Sequence, residues 1–285
     1  AEVTNDPSEE REMARLGARL MAHDLAELGI PVAPAPVLDV PQPGAHDIIG
    51  DRAYGLTPQA VAVMGRACAE GLLAGGVLPV IKHIPGHGRA GADSHTDLPC
   101  VDTKLDELLK VDFYPFQVNA DMPIAMTAHV LYRAIDKRNP ATTSKKCLKI
   151  VRDVIGFDGL LICDDLSMNA LSGTLEKRAR ASLRAGCDVL LHCDGQMDQM
   201  KQIAQVTPKQ LLESCLRMRP DRILLAELRS EEAFDYLRNV NSGHPGSITS
   251  VHAASAEFAF EQLVLLVKQS RAGSGLARAD IKSLL

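Results

Sequence analysis

The stretch GVLPVIKHIPGHG, residues 76–88, decides the fold that we predict for the chain. It begins as an apolar run with the length of a buried strand, and the run ends at Lys82 and His83, just before a glycine-rich loop. Four other apolar runs also carry polar residues at their carboxyl ends: IPVAPAPVLDV has Asp39, PIAMTAHV has His129, GLLICDD has Asp164 and Asp165, and CDVLLHC has His192. Each predicted strand therefore has polar side chains at its carboxyl end.

Helical patterns of apolar residues lie before and between these strand candidates. We predict helices over residues 7–28, 58–74, 102–120, 144–155 and 174–185. Regular alternation of strand and helix predicts a parallel sheet, either doubly wound or closed as a barrel. A doubly wound sheet would concentrate the polar residues near one switch point, but here every strand candidate carries them. We therefore expect an α/β fold with a (β/α)8-type barrel.

The composition is that of a globular protein, because 285 residues with 46% hydrophobic content can bury a sizeable core. A net charge of −5 without basic runs argues against a nucleic-acid partner. The N-terminal residues are acidic and polar, unlike a secretory signal, and the longest uncharged apolar stretch, residues 71–81, is too short to span a bilayer. Seven cysteines without a CxxC pair are typical of reduced thiols. We expect a cytoplasmic protein with no membrane span.

The loop KHIPGHGRAGADSH, residues 82–95, is the first candidate for chemistry. Its glycines tolerate positive φ, so the backbone can turn sharply. Asp93 and His95 are two residues apart, and their side chains can pair so that the carboxylate fixes the imidazole tautomer and raises its basicity. This pattern makes His95 a candidate general acid and base.

Three other interpretations of this loop are open. His83, His87 and His95 could bind zinc together with Asp93, but the chain has no HExxH or comparable ligand spacing. A phosphate-binding loop would need GxxxxGK[ST] or GxGxxG, and neither occurs. An ordinary polar loop is the third interpretation, which three histidines after a lysine disfavour. We expect neither a metal nor a cofactor.

The second candidate is ICDDLSM, residues 162–168, where an apolar strand ends in two carboxylates. An ionised aspartate at that position can be a nucleophile, a metal ligand or a helix cap. Asp165 or Ser167 could cap the next helix, which explains one of the two acidic residues but not both. A carboxylate on one strand end and a protonatable group on another are what glycoside hydrolysis requires.

A third feature is IIGDRAYG, residues 48–55, which places Arg52 in a loop after the first strand. Its guanidinium could bind a substrate hydroxyl or carboxylate in a bidentate way. The alternative is an ion pair with Asp39 or Asp47. The residues alone leave both interpretations open.

Taken in order over residues 10–206, eight motifs resemble glycoside hydrolase family 3, specifically the single-domain bacterial β-N-acetylglucosaminidases of cell-wall recycling. They are LGARLMAHDLAELGI, APVLDV, IIGDRAYG, KHIPGHGRAGADSH, MTAHV, PATTS, GFDGLLICDDLSM and AGCDVLLHC. The resemblance implies a (β/α)8-type barrel, a cytoplasmic location, no metal and a small carbohydrate substrate. The implied reaction releases non-reducing terminal N-acetylglucosamine from muropeptide fragments with retention of configuration.

The resemblance also implies roles for individual residues. Asp164 would be the nucleophile that forms the glycosyl-enzyme. Asp93 and His95 would be the acid/base dyad, with His95 protonating the leaving oxygen and later activating water. The residues implied to hold the sugar are Arg52, Lys82 and His83.

The sequence departs from the family pattern at its beginning. In the family, a DQEGGRV segment precedes the region where this sequence starts, and its Asp and Arg grip the sugar hydroxyls. The printed sequence has no such segment. We therefore expect a barrel without its first strands, and an activity that is impaired by their loss.

Residues 207–285 resemble the C-terminal part of the ring-forming ATPases of type IV secretion instead. RILLAEL matches the Walker B strand with Glu227, and GHPGSITSVHA matches the histidine box with His244 and His252. That family usually has glycine where this chain has Ala226 and Ser230. Such an ATPase also needs a P-loop, which this chain lacks, so we expect association with intact ring subunits at most.

The sequence therefore predicts a chimera with a glycosidase-like barrel portion in residues 1–206 and a secretion-ATPase-like segment in residues 207–285. Our main hypothesis is an exo-β-N-acetylglucosaminidase. One alternative is a fragment of a secretion ATPase that acts through assembly. The other is an inactive hybrid in which RILLAEL joins the same sheet as GLLICDD.

Overall fold

The computed structural model describes residues 7–204, 224–225, 228, 232–241, 247–270 and 272–283. The chain divides into two compact units, Ala1–Gln205 and Val206–Leu285. All six residues predicted to form the glycosidase site belong to the first unit.

Four parallel strands form the main sheet of the first unit. The described strands of the first unit are β1 (Val32–Ala33), β2 (Leu78–Ile84), β3 (Cys100–Val101), β4 (Ile124–Thr127), β5 (Leu131–Tyr132) and β6 (Leu160–Ile162). The main sheet has the order β1-β2-β4-β6, and β3 and β5 form a separate parallel pair. Because β2, β4 and β6 run in parallel and in sequence, the polar residues that follow them reach the same edge. The predicted parallel α/β architecture is confirmed.

Helices lie between these strands. They are α1 (Pro7–Glu27), α2 (Pro58–Ala74), α3 (Leu105–Lys110), α4 (Tyr114–Val118), α5 (Lys145–Ile150), α6 (Leu175–Ala185) and α7 (Met197–Ala204). A π-helical turn, Val151–Ile155, continues α5, and 3-10 turns lie at Gly50–Arg52 and Ala141–Thr143. The bounds of α2 agree with the prediction, because Thr57 caps the helix by accepting from the Ala60 N–H at 3.2 Å and Pro58 fits its first turn.

Two predictions about these elements were wrong. The range 102–120 holds two short helices instead of one. Pro115 has no backbone N–H, which the first turn of a helix does not need, and it lies in the first turn of a second helix that begins at Tyr114. The run CDVLLHC makes only one isolated bridge, between Val189 and Ile162, and is not a full strand.

The packing of α1 against α2 depends on small residues. The buried cluster at this contact consists of Ala18, Ala22, Ala33, Cys68, Leu72 and Val77. Gly71 lies in direct backbone contact with α1, since a Cβ placed on it would overlap the carbonyl oxygen of Arg15. The two helices can approach this closely only because that position has no side chain.

The second unit has its own core. Its described elements are β7 (Leu224–Leu225), α8 (Glu232–Asn241), β8 (Ile248–Thr249), α9 (Ala256–Gln269) and α10 (Arg278–Lys282). In the described residues, β7 pairs in parallel with β8 and not with the main sheet, so the single-sheet hybrid that we considered is wrong. Tyr236, Val264 and Val267 belong to one buried cluster formed within this unit. Over the ranges given above, no helix has both the length and the apolar character needed to cross a membrane.

Candidate active site

A cavity of about 260 Å³ lies where the main-sheet strands end. Five of the six predicted site residues line it, namely Arg52, Lys82, His83, His95 and Asp164. The sixth, Asp93, is bonded to His95. The structure therefore brings together side chains that come from three separate stretches of sequence, residues 48–55, 82–95 and 162–168.

Asp164 and Asp165, which follow β6, lie in different environments. The Asp164 carboxylate lines the cavity and accepts the Asp165 N–H at 2.8 Å. The Asp165 carboxylate accepts the N–H groups of Ser167 and Cys193 at 3.0 and 3.1 Å, together with the Ser167 hydroxyl. Burial alone would raise the pKa of Asp165, but these hydrogen bonds lower it overall. The Asp164 carboxylate is therefore the one that is available to a ligand in the cavity, whereas the Asp165 carboxylate stabilises the turn that ends at Ser167.

Neither of the two helix caps that we considered occurs. Asp165 and Ser167 form a turn, and α6 begins only at Leu175, where Thr174 accepts the Lys177 N–H at 3.4 Å. The acidic pair therefore belongs wholly to the loop between β6 and α6.

His129 also stabilises this turn, through a hydrogen bond to its backbone. Its Nε2 lies 3.0 Å from the carbonyl oxygen of Asp165, and its Nδ1 lies 2.7 Å from the Thr142 hydroxyl. Burial lowers the pKa of His129, so the ring is neutral near pH 7. A carbonyl oxygen only accepts, so Nε2 carries the proton of the neutral ring, and Nδ1 lies beside the Thr142 hydroxyl, which also reaches the Ala128 carbonyl oxygen at 3.0 Å. His129 thereby fixes the backbone next to Asp164.

Asp39 holds the strand end that carries His83. The Asp39 carboxylate is completely buried and accepts His83 Nδ1 at 2.7 Å, His83 N at 3.2 Å and His87 N at 2.6 Å. Burial alone would raise the pKa of Asp39, but the two histidines lower it overall. Since a carboxylate only accepts, His83 has its proton on Nδ1, which leaves Nε2 as the ring nitrogen for a ligand.

Lys82 and Arg52 make one side of the cavity cationic. Burial and the charge of Arg52 lower the pKa of Lys82, and the charge of Asp164 opposes that shift. Arg52 donates to the Ile48 carbonyl oxygen at 2.5 Å. Among the described residues it has no ion pair with Asp39 or Asp47, so the alternative that we left open for this arginine is wrong.

The Asp93–His95 pair forms as predicted from its spacing. Asp93 Oδ1 accepts both the His95 backbone N–H at 2.9 Å and His95 Nδ1 at 2.7 Å. These hydrogen bonds lower the pKa of Asp93, which keeps it ionised. The His95 side chain is 65% exposed, so its Nε2 is open to a ligand and to water.

The zinc interpretation requires a different arrangement. In the part of the chain that the structure describes, no group of three or more His, Cys, Asp or Glu side chains is placed to hold a metal ion. His83 and His95 are each paired with a separate aspartate. His87 also lines the cavity, and burial lowers its pKa to about 4, so its ring is neutral.

Sequence reasoning missed the supporting roles of Asp39 and His129. The signal was present, because both residues end an apolar run. Their partners could not be read from the sequence, since each bond depends on which neighbouring strand lies alongside.

The prediction for the tail stays a prediction. Glu227 and His244 lie outside the described residues, and His252 is exposed. The assignment of residues 207–285 to a secretion-ATPase-like segment therefore has no structural test here.

Comparisons with known proteins match residues of the first unit and continue past Gln205, where that unit ends. A sequence model of the glycosyl hydrolase family 3 N-terminal domain matches residues 4–224. The chain is 37% identical to a beta-hexosaminidase of Methylococcus capsulatus over 235 residues, which cover 78% of this chain and 70% of that protein. It is 41% identical to a beta-hexosaminidase of Thiobacillus denitrificans over 193 residues, covering 66% of this chain and 53% of that protein.

Solved structures give the same result. NagZ from Neisseria gonorrhoeae superposes with a TM-score of 0.64 at 35% identity, covering 73% of this chain and 62% of that one. A family 3 beta-N-acetylglucosaminidase from Paenibacillus superposes with a TM-score of 0.66 at 27% identity, covering 91% of this chain and 50% of that one. The chain thus spans between half and about two thirds of the length of most of these proteins. The chain belongs to glycosyl hydrolase family 3.

Proposed function

We propose that this chain is an exo-β-N-acetylglucosaminidase that works by a retaining double displacement. The observation that supports it most directly is the presence, in one cavity, of an available carboxylate, Asp164, and a separate protonatable group, His95. Retaining glycosidases need a nucleophile on one side of the anomeric carbon and an acid beside the leaving oxygen. The names of the beta-hexosaminidases that the chain resembles suggest the sugar.

In the first step, an Asp164 carboxylate oxygen attacks the anomeric carbon while His95 gives its proton to the glycosidic oxygen. The bond between that carbon and oxygen breaks, and the aglycone leaves with the proton. His95 then takes a proton from water, the water oxygen attacks the anomeric carbon, and Asp164 leaves as a carboxylate. Asp93 stabilises the protonated imidazole and holds the ring in one orientation.

The cationic side of the cavity supports sugar binding in this proposal. Arg52 and Lys82 can donate to ring hydroxyls or to the acetamido oxygen, and His83 offers Nε2 as an acceptor. A neutral His87 beside them adds no further charge. The natural substrate that we propose is a muropeptide fragment with non-reducing terminal N-acetylglucosamine.

The test is turnover of 4-nitrophenyl β-N-acetylglucosaminide. We expect Asp164→Asn to lower kcat by about a thousandfold or more, because the amide cannot form the glycosyl ester. Asp198→Asn is the matched control, since that carboxylate is 93% exposed on α7, and it should leave kcat unchanged. Activity that survives Asp164→Asn at the parent level would refute the mechanism.

A further inference from the structure

A second cavity, of about 440 Å³, lies beside the loop that carries the Asp93–His95 pair. It shares no lining residue with the sugar cavity. Backbone hydrogen bonds join the linings of the two cavities: the Ala170 N–H donates to the Ser94 carbonyl at 3.2 Å, and the Asn169 N–H donates to the His95 carbonyl at 3.4 Å. Asn169 and Ala170 of the second cavity are therefore bonded directly to His95 and Ser94 of the sugar cavity.

The charge of the second cavity has one sign. Three cations line it, Arg138, Lys177 and Arg178, and its lining contains no aspartate or glutamate. Arg178 is held in place, because its guanidinium donates to the carbonyl oxygens of Leu166, Met168 and Gly173 at 2.8 to 3.1 Å. Within the described ranges of the chain, the Arg138 and Lys177 side chains form neither an ion pair nor a hydrogen bond, and both residues are exposed.

Asp136 fixes the turn that presents Arg138. Its carboxylate accepts the Arg138 N–H at 3.0 Å, the Asn139 amide at 3.2 Å and the Ser144 hydroxyl at 2.7 Å. Burial alone would raise the pKa of Asp136, but these hydrogen bonds hold it at about 2. The carboxylate is thus saturated by the turn and is not available to pair with the Arg138 guanidinium.

The remaining lining supplies neutral hydrogen-bonding groups. Asn139, Thr143, Asn169 and Ser172 carry amides or hydroxyls into the same cavity. Lys177 lies in the first turn of α6, whose amino end adds a weak positive field. Two uncommitted cations with neutral donors between them favour a carboxylate over a neutral sugar ring.

We propose that the second cavity binds a carboxylate carried by the aglycone, with Arg138 and Lys177 as its ligands. This inference rests on the proposed function, because it assigns a preferred aglycone chemistry to the same enzyme. Arg138 and Lys177 act on affinity and selectivity only, since neither lines the cavity that holds Asp164.

The experiment compares two inert ligands by calorimetry at low salt. One is an aryl S-linked β-N-acetylglucosaminide that carries a carboxylate on a flexible arm, and the other is the methyl ester of the same compound. We expect the parent to bind the acid about three- to tenfold more tightly than the ester, as two partly exposed ion pairs allow. Salt should shrink this advantage.

Three variants test whether the second cavity causes the difference in affinity between acid and ester. The double variant Arg138→Gln, Lys177→Gln should bind acid and ester equally, and its affinity for the ester should stay at the parent value. Arg138→Lys with Lys177→Arg keeps both charges and should keep the advantage. Lys110→Gln removes an exposed cation at the end of α3, outside the cavity, and should also keep it.

Three results would overturn the inference: equal affinities in the parent, an advantage that survives in the double variant, or no binding of either ligand. The proposed function is tested separately from the carboxylate site, by turnover of the uncharged 4-nitrophenyl substrate. A chain that hydrolyses that substrate but does not distinguish acid from ester would keep its activity and lose the carboxylate site.

Discussion

At the scale of single residues, Asp39 controls the chemistry that His83 can offer. One carboxylate accepts three N–H groups, two from backbone and one from the His83 ring. The backbone donors both reach Oδ1, and the ring donor reaches Oδ2. The ring tautomer is therefore set by a residue that has no contact with solvent.

We predict that Asp39→Asn switches the His83 tautomer. The amide oxygen can still accept the two backbone N–H groups, but the amide NH2 then faces Nδ1, which must become an acceptor. The ring proton moves to Nε2, and the affinity for N-acetylglucosamine should fall about tenfold, since a polar contact in the site is mismatched. Nitrogen NMR shifts of the imidazole report the tautomer, and calorimetry reports the affinity.

Asp47→Asn is the control for this change, because Asp47 is an exposed carboxylate in the following loop. It should alter neither the His83 shifts nor the affinity. An Asp39→Asn protein whose imidazole shifts match those of the parent would show that Asp39 does not set the tautomer.

The sequence predicted which residues meet in the site but not how they pair. Asp93 and His95 could be paired from spacing, since only one residue separates them in a loop. The Asp39–His83 bond depends instead on the alignment of two strands, in which the Leu38 N–H donates to the Lys82 carbonyl at 2.6 Å. The sequence around Asp39 does not encode that alignment. From the sequence alone, Arg52 was therefore as reasonable a partner for Asp39 as His83 was.

At the scale of elements, helix α2 shows what local sequence can determine. Thr57, Pro58 and the apolar spacing after them fix its bounds without help from the rest of the fold. The range 102–120 has a similar apolar pattern, but Asp112 within it accepts from Arg89 at 2.7 Å and is buried where the two helices meet. Pro115 also has no N–H with which to continue the first helix, so periodicity alone gave the wrong answer.

We predict that Gly71→Ala destabilises the first unit by about 1 to 3 kcal/mol, the usual cost of overpacking. The added Cβ would overlap the Arg15 carbonyl oxygen, which belongs to helix backbone and cannot move alone. Urea unfolding followed by circular dichroism measures the change.

Gly17→Ala makes the same substitution in helix α1 without the crowding. Apart from the adjoining backbone of its own helix, no atom lies within 4 Å of the position where its Cβ would stand, and Gly17 is exposed. Alanine should therefore leave stability unchanged or raise it by up to about 1 kcal/mol, through helix propensity. Equal effects of the two substitutions would show that the close approach of α1 and α2 does not matter.

At the scale of the whole molecule, the described site belongs to the first unit, and the family model covers all of its residues. The predicted parallel sheet was recoverable because a helix lies between each pair of successive main-sheet strands over residues 30–165. The second unit gave a weaker signal, because its two described strands are two residues long each and pair only with one another. Its role as a secretion-ATPase-like segment is still a prediction.

The core of the second unit allows the last prediction. Leu266 is 3% exposed and belongs to a buried cluster whose members all lie between residues 228 and 281. We predict that Leu266→Ala costs about 2 to 4 kcal/mol, because it removes buried methyl groups and leaves a cavity. Since the cluster is confined to this unit, the loss of protection against hydrogen exchange should appear in α8 and α9.

Leu265→Ala is the matched control, because the neighbouring side chain is 56% exposed and its truncation should change stability by less than about 0.5 kcal/mol. Hydrogen exchange measured by mass spectrometry follows both units in one experiment. We expect β2 and β4 to keep the parent exchange rates in both variants, and turnover of the aryl substrate to stay the same at a temperature where the first unit is folded. Faster exchange in β2 and β4 after Leu266→Ala would mean that the two cores unfold together, and the site would then depend on residues of the other unit.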